Sequence, residues 1–310
     1  MITVIIHEKH KKIGYNCEGR RCGEAHLVES EWKKWRPEKK SYFNEINKGE
    51  AIIGSKKRVH HIDPGVGYIL NRPEFICQLA RKAEKLGVII QTNNKIKTIN
   101  DLDGKFIVDA SGCPSTIKRD LGINRGIKGV TYQQTIENSN CFVSDTLKVI
   151  YTGNFGYYWI FPRDPKKKEI NIGIGFSGKF GYNLKNILEE FKEERKIEGK
   201  VNYVTSGLIP VGLQRPLIHN NILFVGDAGV GTFPFTGQGI YRALISGDVA
   251  GRCIARGYQK KYPHIINQKF IKWDLIGKTF IRANYILRRI NPKLVLASLN
   301  YFTDVSNMIH

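Results

Sequence analysis

The length, composition and charge of the chain limit its class before any motif is considered. The sequence has 310 residues, 41% of them hydrophobic, which suffices for the core of one large domain or two modest ones. Its 49 basic and 28 acidic residues give a net charge of +21, which favours phosphates, anionic membrane surfaces or nucleic acid as partners. The six cysteines lack zinc-type spacing, and no secretory signal or bilayer-spanning apolar run is present, so we expect a cytoplasmic protein.

The first predicted element is a strand that ends in an acid. Ile2 to Ile6 is a β-branched run followed by His7 and Glu8, the pattern of a parallel strand. In dinucleotide-binding folds, an acid at the end of the second strand hydrogen-bonds the adenosine ribose, and Glu8 fits that role. A polar, glycine-rich loop with Cys17 and Cys22 follows, and we do not expect a disulfide between them in a reducing compartment.

The next elements alternate between strand and helix. Gly67 to Leu86 predicts a strand and then a helix, with Arg72 at the junction and Pro73 in the first helical turn. Val88 to Gln91 predicts another strand. Phe106 to Gly112 predicts a buried strand that runs into an Asp-Ala-Ser-Gly turn.

The middle of the chain has a different pattern of apolar and polar residues. From Val130 to Gly207, apolar and polar residues alternate, which predicts an antiparallel sheet inserted between two parts of an α/β domain. Within it, a predicted hairpin places Tyr157, Trp159 and Phe161 on one sheet face. Such a face suits a long apolar ligand, although a core stripe is the alternative interpretation.

The stretch from Asn221 to Gly251 predicts a strand, a tight turn and a helix. Ile222 to Val225 forms the apolar strand, which Gly226 ends, and Asp227 follows at the carboxyl end of the strand, where open α/β sheets bind ligands. The helix is predicted to begin near Gly239, with its free N–H groups directed at an anionic or electron-rich ligand.

The C-terminal segment predicts basic amphipathic helices interrupted at Pro263 and Pro292. Helices of this kind can lie on an anionic membrane surface, and a solvated helical cap is the alternative.

Three motifs together resemble a known family. The run Asp227, Pro234, Gly237 and Gly239 resembles the second flavin-binding motif of FAD-dependent oxidoreductases of the hydroxybenzoate-hydroxylase type, and within them of the geranylgeranyl reductase family. Cys22-Gly23-Glu24 resembles a family segment beside the flavin, with Ala25 in place of the family's glycine. The hairpin residues that match the family are Tyr157, Trp159, Phe161, Pro162, Gly173 and Gly175.

The resemblance implies a fold and a domain order. The expected architecture is an FAD-binding doubly wound α/β fold with an inserted antiparallel-sheet substrate domain and C-terminal helices. The expected boundaries are 1–125 and 208–256 for the FAD-binding parts, 126–207 for the substrate domain and 257–310 for the helices. The first strand, the G-x-G-x-x-G turn and the first helix of the family are not found, so we expect weaker FAD binding, through a misassigned start, a split gene or a shortened chain.

The resemblance also implies roles for individual residues. The expected FAD-binding residues are Glu8, Cys22, Gly23, Ala25, Arg72, Ile96, Asp227, Gly237, Gly239 and Ile240. The expected substrate-binding residues are Tyr157, Trp159, Phe161, Pro162, Gly173 and Gly175. Cys22 is the one titratable candidate for a catalytic role, as a proton donor.

The implied activity is FAD-dependent saturation of isoprenoid double bonds in a geranylgeranyl lipid or diphosphate, especially an archaeal ether lipid such as digeranylgeranylglycerophospholipid. The implied partners are this substrate, a reduced electron donor such as NAD(P)H or ferredoxin, and an anionic membrane surface, with no nucleic acid. Two alternatives stay open: an aromatic monooxygenase of the same superfamily, and a non-catalytic remnant that binds lipid or a partner chain.

Overall fold

The chain divides into two compact units in a computed structural model that describes residues 3–14, 22–28, 30–123, 126–153, 156–177, 181 and 183–307. The first unit comprises Met1–Cys17, Leu79–Gly129 and Leu208–Ile281. The second comprises Glu18–Gln78, Val130–Gly207 and Arg282–His310. The functional domain boundaries expected from the sequence stay a prediction.

The elements are numbered along the chain within the described residues. The strands are β1 (Ile5–His7), β2 (Ala25–Leu27), β3 (Tyr42–Ile46), β4 (Lys48–Ile53), β5 (Lys56–His61), β6 (Gly67–Leu70), β7 (Ile89–Gln91), β8 (Ile107–Asp109), β9 (Lys128–Glu137), β10 (Thr146–Tyr151), β11 (Gly156–Asp164), β12 (Glu169–Ser177), β13 (Lys200–Pro210), β14 (Ile218–His219) and β15 (Ile222–Phe224). The α-helices are α1 (Arg72–Lys85), α2 (Thr116–Asp120), α3 (Leu184–Glu194), α4 (Gly226–Gly229), α5 (Ile240–Ala255), α6 (Tyr262–Ile290) and α7 (Pro292–Asn307).

The first unit contains the predicted parallel pairings. β1 runs parallel to β7, and β8 runs parallel to β15 with Asp109 opposite Phe224, so the chain leaves β8 and β15 at the same edge. The buried side chains of Ile117, Ile222 and Phe224 form the core behind this sheet. The predicted strands that end near Glu8 and at Gly226 are confirmed.

Two details of the first unit differ from the prediction. The segment Phe106 to Gly112 was expected to be a buried strand, but β8 covers only three residues and Val108 is 44% exposed, because β8 is the last strand in the sheet order β14-β15-β8. The predicted tight turn after β15 contains the short helix α4. Gly229 permits this because a Cβ there would lie 1.9 Å from the carbonyl oxygen of Phe224.

The second unit is built on a seven-stranded sheet with the order β13-β9-β12-β11-β10-β4-β5. The predicted antiparallel hairpin is confirmed as β11 and β12, with Trp159 opposite Gly173. The sheet contains more strands than the prediction for Val130 to Gly207 implied. Strand β4 joins it in parallel with β10, and β5 extends it further. The same stretch also contains α3, whose Leu188 and Phe191 pack on the isoleucines of β12.

The C-terminal helices follow the predicted interruptions. Pro263 lies in the first turn of α6, where its missing N–H costs nothing, and α7 begins at Pro292. Of the helices in the described ranges, none combines the length and the apolar content that a membrane crossing requires.

Candidate functional site

The first unit carries a turn in which a carboxylate lies beside a helix start. Asp227 lies in α4, directly after β15, and a Cβ placed on Gly239 would be 3.5 Å from its Oδ1. Gly239 is the N-cap of α5, and it supplies no side chain to bond the first N–H groups of that helix. Gly237 has a φ of +66°, a conformation that favours glycine. The helix start can therefore donate hydrogen bonds to an electron-rich ring, and the nearby carboxylate can accept one.

A buried arginine holds this turn in place. Arg242 on α5 is fully buried; its Nη1 donates to Asp274 Oδ1 at 2.8 Å and its Nη2 to the carbonyl of Val230 at 2.6 Å. The guanidinium lies 4.7 Å from the ring centroid of Phe233 and 4.5 Å from that of Phe270. Burial lowers the pKa of Arg242, and the charge of Asp274 opposes that shift. The pair of Arg242 and Asp274 was not predicted, because the sequence shows only a charged residue among apolar helix positions.

The turn after β8 is fixed by short-range hydrogen bonds. Asp109 accepts from Ser111 N at 2.8 Å and from Ser115 Oγ at 2.5 Å, and Ser115 caps α2 by accepting from Lys118 N at 2.9 Å. Lys118 is buried and its Nζ donates to the carbonyl of Gln214. Burial lowers the pKa of Lys118 to about 8.

Glu8 and Ile96 lie elsewhere in the first unit. Glu8 follows β1, and its Oε1 accepts from His10 N at 2.8 Å and contacts His10 Nδ1 at 2.7 Å. Ile96 is half-buried and packs against the core around Ile117 and Phe224. Their predicted contacts with adenosine stay predictions.

In the second unit, Cys22, Gly23 and Glu24 precede β2, which starts at Ala25. Glu24 N donates to Cys22 Sγ at 3.2 Å. Burial raises the pKa of the Cys22 thiol, and the positive charge of Arg72 partly opposes that shift. Cys22 is a free thiol, while Cys17 lies outside the described residues, so the expectation about their pairing stays a prediction.

A buried ionic network anchors this segment. Glu24 has a φ of +65° and is 2% exposed, and its Oε2 accepts from Arg163 Nε at 2.6 Å. Arg163 also donates to Glu169, whose second oxygen accepts from Asn202 Nδ2 at 2.9 Å. Asn171 Nδ2 adds a bond to Glu24 Oε2 at 3.2 Å. No role was predicted for Arg163, Glu169, Asn171 or Asn202, although two opposite charges that flank a predicted hairpin turn are a usable signal.

The aromatic strand β11 contacts the residues Cys22, Gly23 and Glu24, called here the Cys22 segment. The ring centroids of Tyr157 and Trp159 are 5.8 Å apart, and a Cβ on Gly23 would come within 2.8 Å of the Phe161 ring. A Cβ on Gly173 would lie 2.1 Å from the Trp159 ring. The predicted shared face is confirmed, and the structure brings Gly23 against it.

Three further predicted residues have structural surroundings of their own. Gly175 lies on the same hairpin, where an added Cβ would meet only ordinary contacts at 3.5 Å. The carbonyl of Pro162 accepts from Asn44 Nδ2 at 3.0 Å. Ala25 pairs with Ile69 in the sheet β2-β6-β3.

The architecture places the chain in a class. It is similar to a geranylgeranyl bacteriochlorophyll reductase-like protein of Thermoplasma acidophilum, with a TM-score of 0.78 and 23% identity over 95% of this chain and 84% of that one. It is also similar to a flavin-dependent halogenase, with a TM-score of 0.66 and 14% identity over 93% of this chain and 61% of that one. The chain therefore has the FAD-binding α/β fold with a sheet domain and C-terminal helices that the sequence predicted.

The sequence narrows the class further. Residues 128–208 match the model of the geranylgeranyl reductase catalytic domain. The chain is 29% identical, over 61% of its length, to a digeranylgeranylglycerophospholipid reductase of Methanocella arvoryzae, and 28% identical, over 96% of its length, to one of Thermoplasma acidophilum. It spans 55% of the first relative and 83% of the second. The predicted resemblance to the geranylgeranyl reductase family is confirmed.

Proposed function

We propose that this chain is an FAD-dependent reductase that saturates isoprenoid double bonds of a geranylgeranyl lipid, of the class that archaeal ether-lipid biosynthesis requires. The observation that carries the proposal is the match of residues 128–208 to the geranylgeranyl reductase catalytic domain. That segment contains the aromatic strand β11, whose Phe161 lies against Gly23, next to the half-buried Cys22.

The residues of the first unit fit FAD. The carboxylate of Asp227 would accept a hydrogen bond from the ribityl chain, and the backbone at Gly239 and Ile240 would donate to the flavin. The absence of a side-chain cap at Gly239 supports this assignment, because the helix start then has donors to offer a ligand. When bound, FAD supplies the hydride that alkene reduction needs.

The residues of the second unit would bind the lipid and hold a proton. Tyr157 and Trp159 offer a face that buries an apolar chain and excludes water. Because burial raises the pKa of Cys22, the thiol stays protonated at neutral pH, as a proton donor must. Cys22 is therefore the proposed proton source for the alkene carbon.

The electron donor and the membrane contact are further parts of the proposal. We assign NAD(P)H or ferredoxin as the donor class. The corner between α6 and α7 exposes Ile286 by 61%, Ile290 by 71% and Leu294 by 41%, next to Arg289 and Lys293. Apolar side chains among basic ones suit peripheral contact with an anionic lipid surface.

Vesicle sedimentation tests the membrane contact. The purified chain should pellet with vesicles that contain anionic phospholipid and less with neutral ones, and Ile286→Glu together with Ile290→Glu should abolish pelleting. Equal pelleting of the wild type and the double variant would contradict this contact.

The visible absorption spectrum tests the function first. The purified chain with added FAD should retain flavin bands after gel filtration, and Asp227→Ala should lose them. A flavin-loaded protein that consumes oxygen and NADPH with an aromatic substrate would instead favour the monooxygenase. A protein that stays colourless and still binds lipid would favour the non-catalytic alternative.

A further inference from the structure

The indole of Trp159 reaches across a neighbouring strand to a glutamine. Trp159 on β11 pairs directly with Gly173 on β12, and β12 lies between β11 and β9 in the sheet order. Trp159 Nε1 nevertheless donates to Gln133 Oε1 on β9 at 3.0 Å. The ring can cross β12 because Gly173 has no side chain, since a Cβ there would be 2.1 Å from it.

Gln133 connects the Trp159 indole to the backbone of the Cys22 segment. Its oxygen accepts from the indole, so its Nε2 is the end that donates to the carbonyl of Cys22, at 3.2 Å. Gln133 is 2% exposed and Trp159 is 7% exposed. A buried amide pays a desolvation cost unless its hydrogen bonds are made, so this orientation is strongly favoured.

A second buried amide acts on the same segment. Asn171 is fully buried, and its Oδ1 accepts from Thr135 Oγ1 at 2.8 Å. That bond directs Nδ2 towards the Cys22 segment, where it lies 3.2 Å from Glu24 Oε2 and 3.4 and 3.5 Å from the carbonyls of Cys22 and Gly23. Two side chains from different strands thus converge on one segment, Gln133 on the carbonyl of Cys22 and Asn171 on the Glu24 carboxylate and the two carbonyls before it.

We propose that Gln133 and Asn171 are positioning residues that fix the Cys22 thiol, and that Trp159 acts on the thiol through Gln133. The proposal rests on the proposed function for its catalytic meaning, since it assigns the geometry of the proposed proton donor. It gives Trp159 a role in addition to the substrate contact expected from the sequence. It also explains the glycine at position 173, because a residue without a side chain there allows the indole to cross β12.

The reactivity of Cys22 in the full chain tests this proposal without flavin or lipid. Trp159→Phe removes the N–H donor and keeps an aromatic ring, and Gln133→Met removes both amide hydrogen bonds without placing a charge beside Cys22. We expect both variants to raise the rate of Cys22 alkylation by iodoacetamide about fivefold, the factor that corresponds to one hydrogen bond of ordinary net strength. Mass spectrometry of the Cys22 peptide gives the rate, with the Cys141 peptide as an internal reference.

Gln134 provides the matched control. It is the next residue, is equally buried, and bonds Glu189 at 2.6 Å and Lys192 at 2.9 Å instead of the Cys22 segment. Gln134→Met should lower the melting temperature and leave Cys22 alkylation unchanged. The pH profile of alkylation should move towards that of an ordinary thiol in Trp159→Phe and Gln133→Met alone.

Two results would overturn the proposal. One is a Cys22 rate and pH profile that stay as in the wild type in both positioning variants. The other is an equal increase in Gln134→Met, which would indicate general loosening of the sheet. Because the assay needs neither cofactor nor substrate, the positioning role can fail while alkene reduction stands, and the reverse also holds.

Discussion

Both units bury an arginine beside their candidate site, but they use it differently. In the first unit, Arg242 binds a single carboxylate, Asp274, and a backbone carbonyl in the glycine-rich turn. In the second, Arg163 lies between two carboxylates, Glu24 and Glu169, of which the first belongs to the Cys22 segment. The first arrangement fixes a backbone, and the second fixes a segment that carries the proposed proton donor, Cys22.

The difference follows from what each site is proposed to bind. A site made of backbone N–H groups needs a rigid turn, which a buried ion pair behind it provides. A site made of aromatic rings and a thiol needs side chains held at set positions, which a network of buried amides and carboxylates provides. The following variants test that contrast, starting with the largest expected effect.

Removal of the Arg242 guanidinium in the first unit should cause the largest loss of stability. Arg242→Met leaves Asp274 buried without its cation, so we expect a loss of about 3–5 kcal/mol in the free energy of unfolding, measured by urea denaturation. Arg252 lies on the same helix and pairs with Asp248 at the surface, so Arg252→Met is the matched control. That control should cost about 0.5 kcal/mol or less, and equal losses in the two variants would contradict the account.

A buried histidine should make the second unit sensitive to acid. His26 is 4% exposed, and burial lowers its pKa to about 4, below the usual 6.5 of an unfolded chain. Between these values the unfolded state binds a proton that the folded state does not, so stability falls as the pH drops. The His26 contribution to that fall should approach about 3 kcal/mol near pH 4.

His26→Phe isolates this contribution. Urea unfolding at pH 7 and at pH 5 should show a smaller acid loss in the variant, by about 2 kcal/mol, because the imidazole no longer titrates. If variant and wild type lose the same stability between the two pH values, His26 is not the source of the acid sensitivity.

A side chain at Gly173, where the Trp159 indole crosses β12, should have an intermediate effect on stability. Gly173→Ala places a Cβ where the Trp159 ring lies and should cost about 1–3 kcal/mol in the free energy of unfolding. Gly175→Ala on the same strand meets only ordinary contacts and should change stability by about 0.5 kcal/mol or less. The contrast fails if both alanines cost the same.

The smallest expected effect concerns the charge near Cys22. Arg72 opposes the burial that raises the pKa of Cys22, so Arg72→Met should raise that pKa further and leave less thiolate. Alkylation of Cys22 at pH 8 should slow about threefold, in line with a partly screened charge. Lys40→Met, which removes an exposed charge from the same unit, should leave the rate unchanged; a faster rate in Arg72→Met would contradict the sign.

Local patterns explain why much of the fold was predictable. The hairpin of β11 and β12 and the start of α5 follow from alternation, glycines and helical spacing within short stretches. The pairing of β4 with β10 joins segments about a hundred residues apart, and no local pattern specifies such a partner. The shared aromatic face of Tyr157 and Trp159 was predictable for the same local reason.

The buried polar network was harder to predict for a related reason. Glu24 and Arg163 are 139 residues apart, and although Glu24 belongs to a recognisable motif, no local pattern pairs it with Arg163. Gln133 gives no signal at all, because its importance depends on Gly173 leaving room above β12. The residues proposed to bind a ligand were visible as motifs, whereas the residues proposed to position them were visible only in the structure.

The most direct test of the central claim is a single turnover without oxygen. The chain is loaded with FAD, reduced with dithionite and mixed with digeranylgeranylglycerophospholipid, and the lipid is analysed by mass spectrometry. The account predicts that the lipid gains two hydrogen atoms for each double bond reduced while the flavin returns to its oxidised spectrum. A chain that binds and reduces FAD but leaves the lipid mass unchanged would contradict the assignment as an isoprenoid reductase.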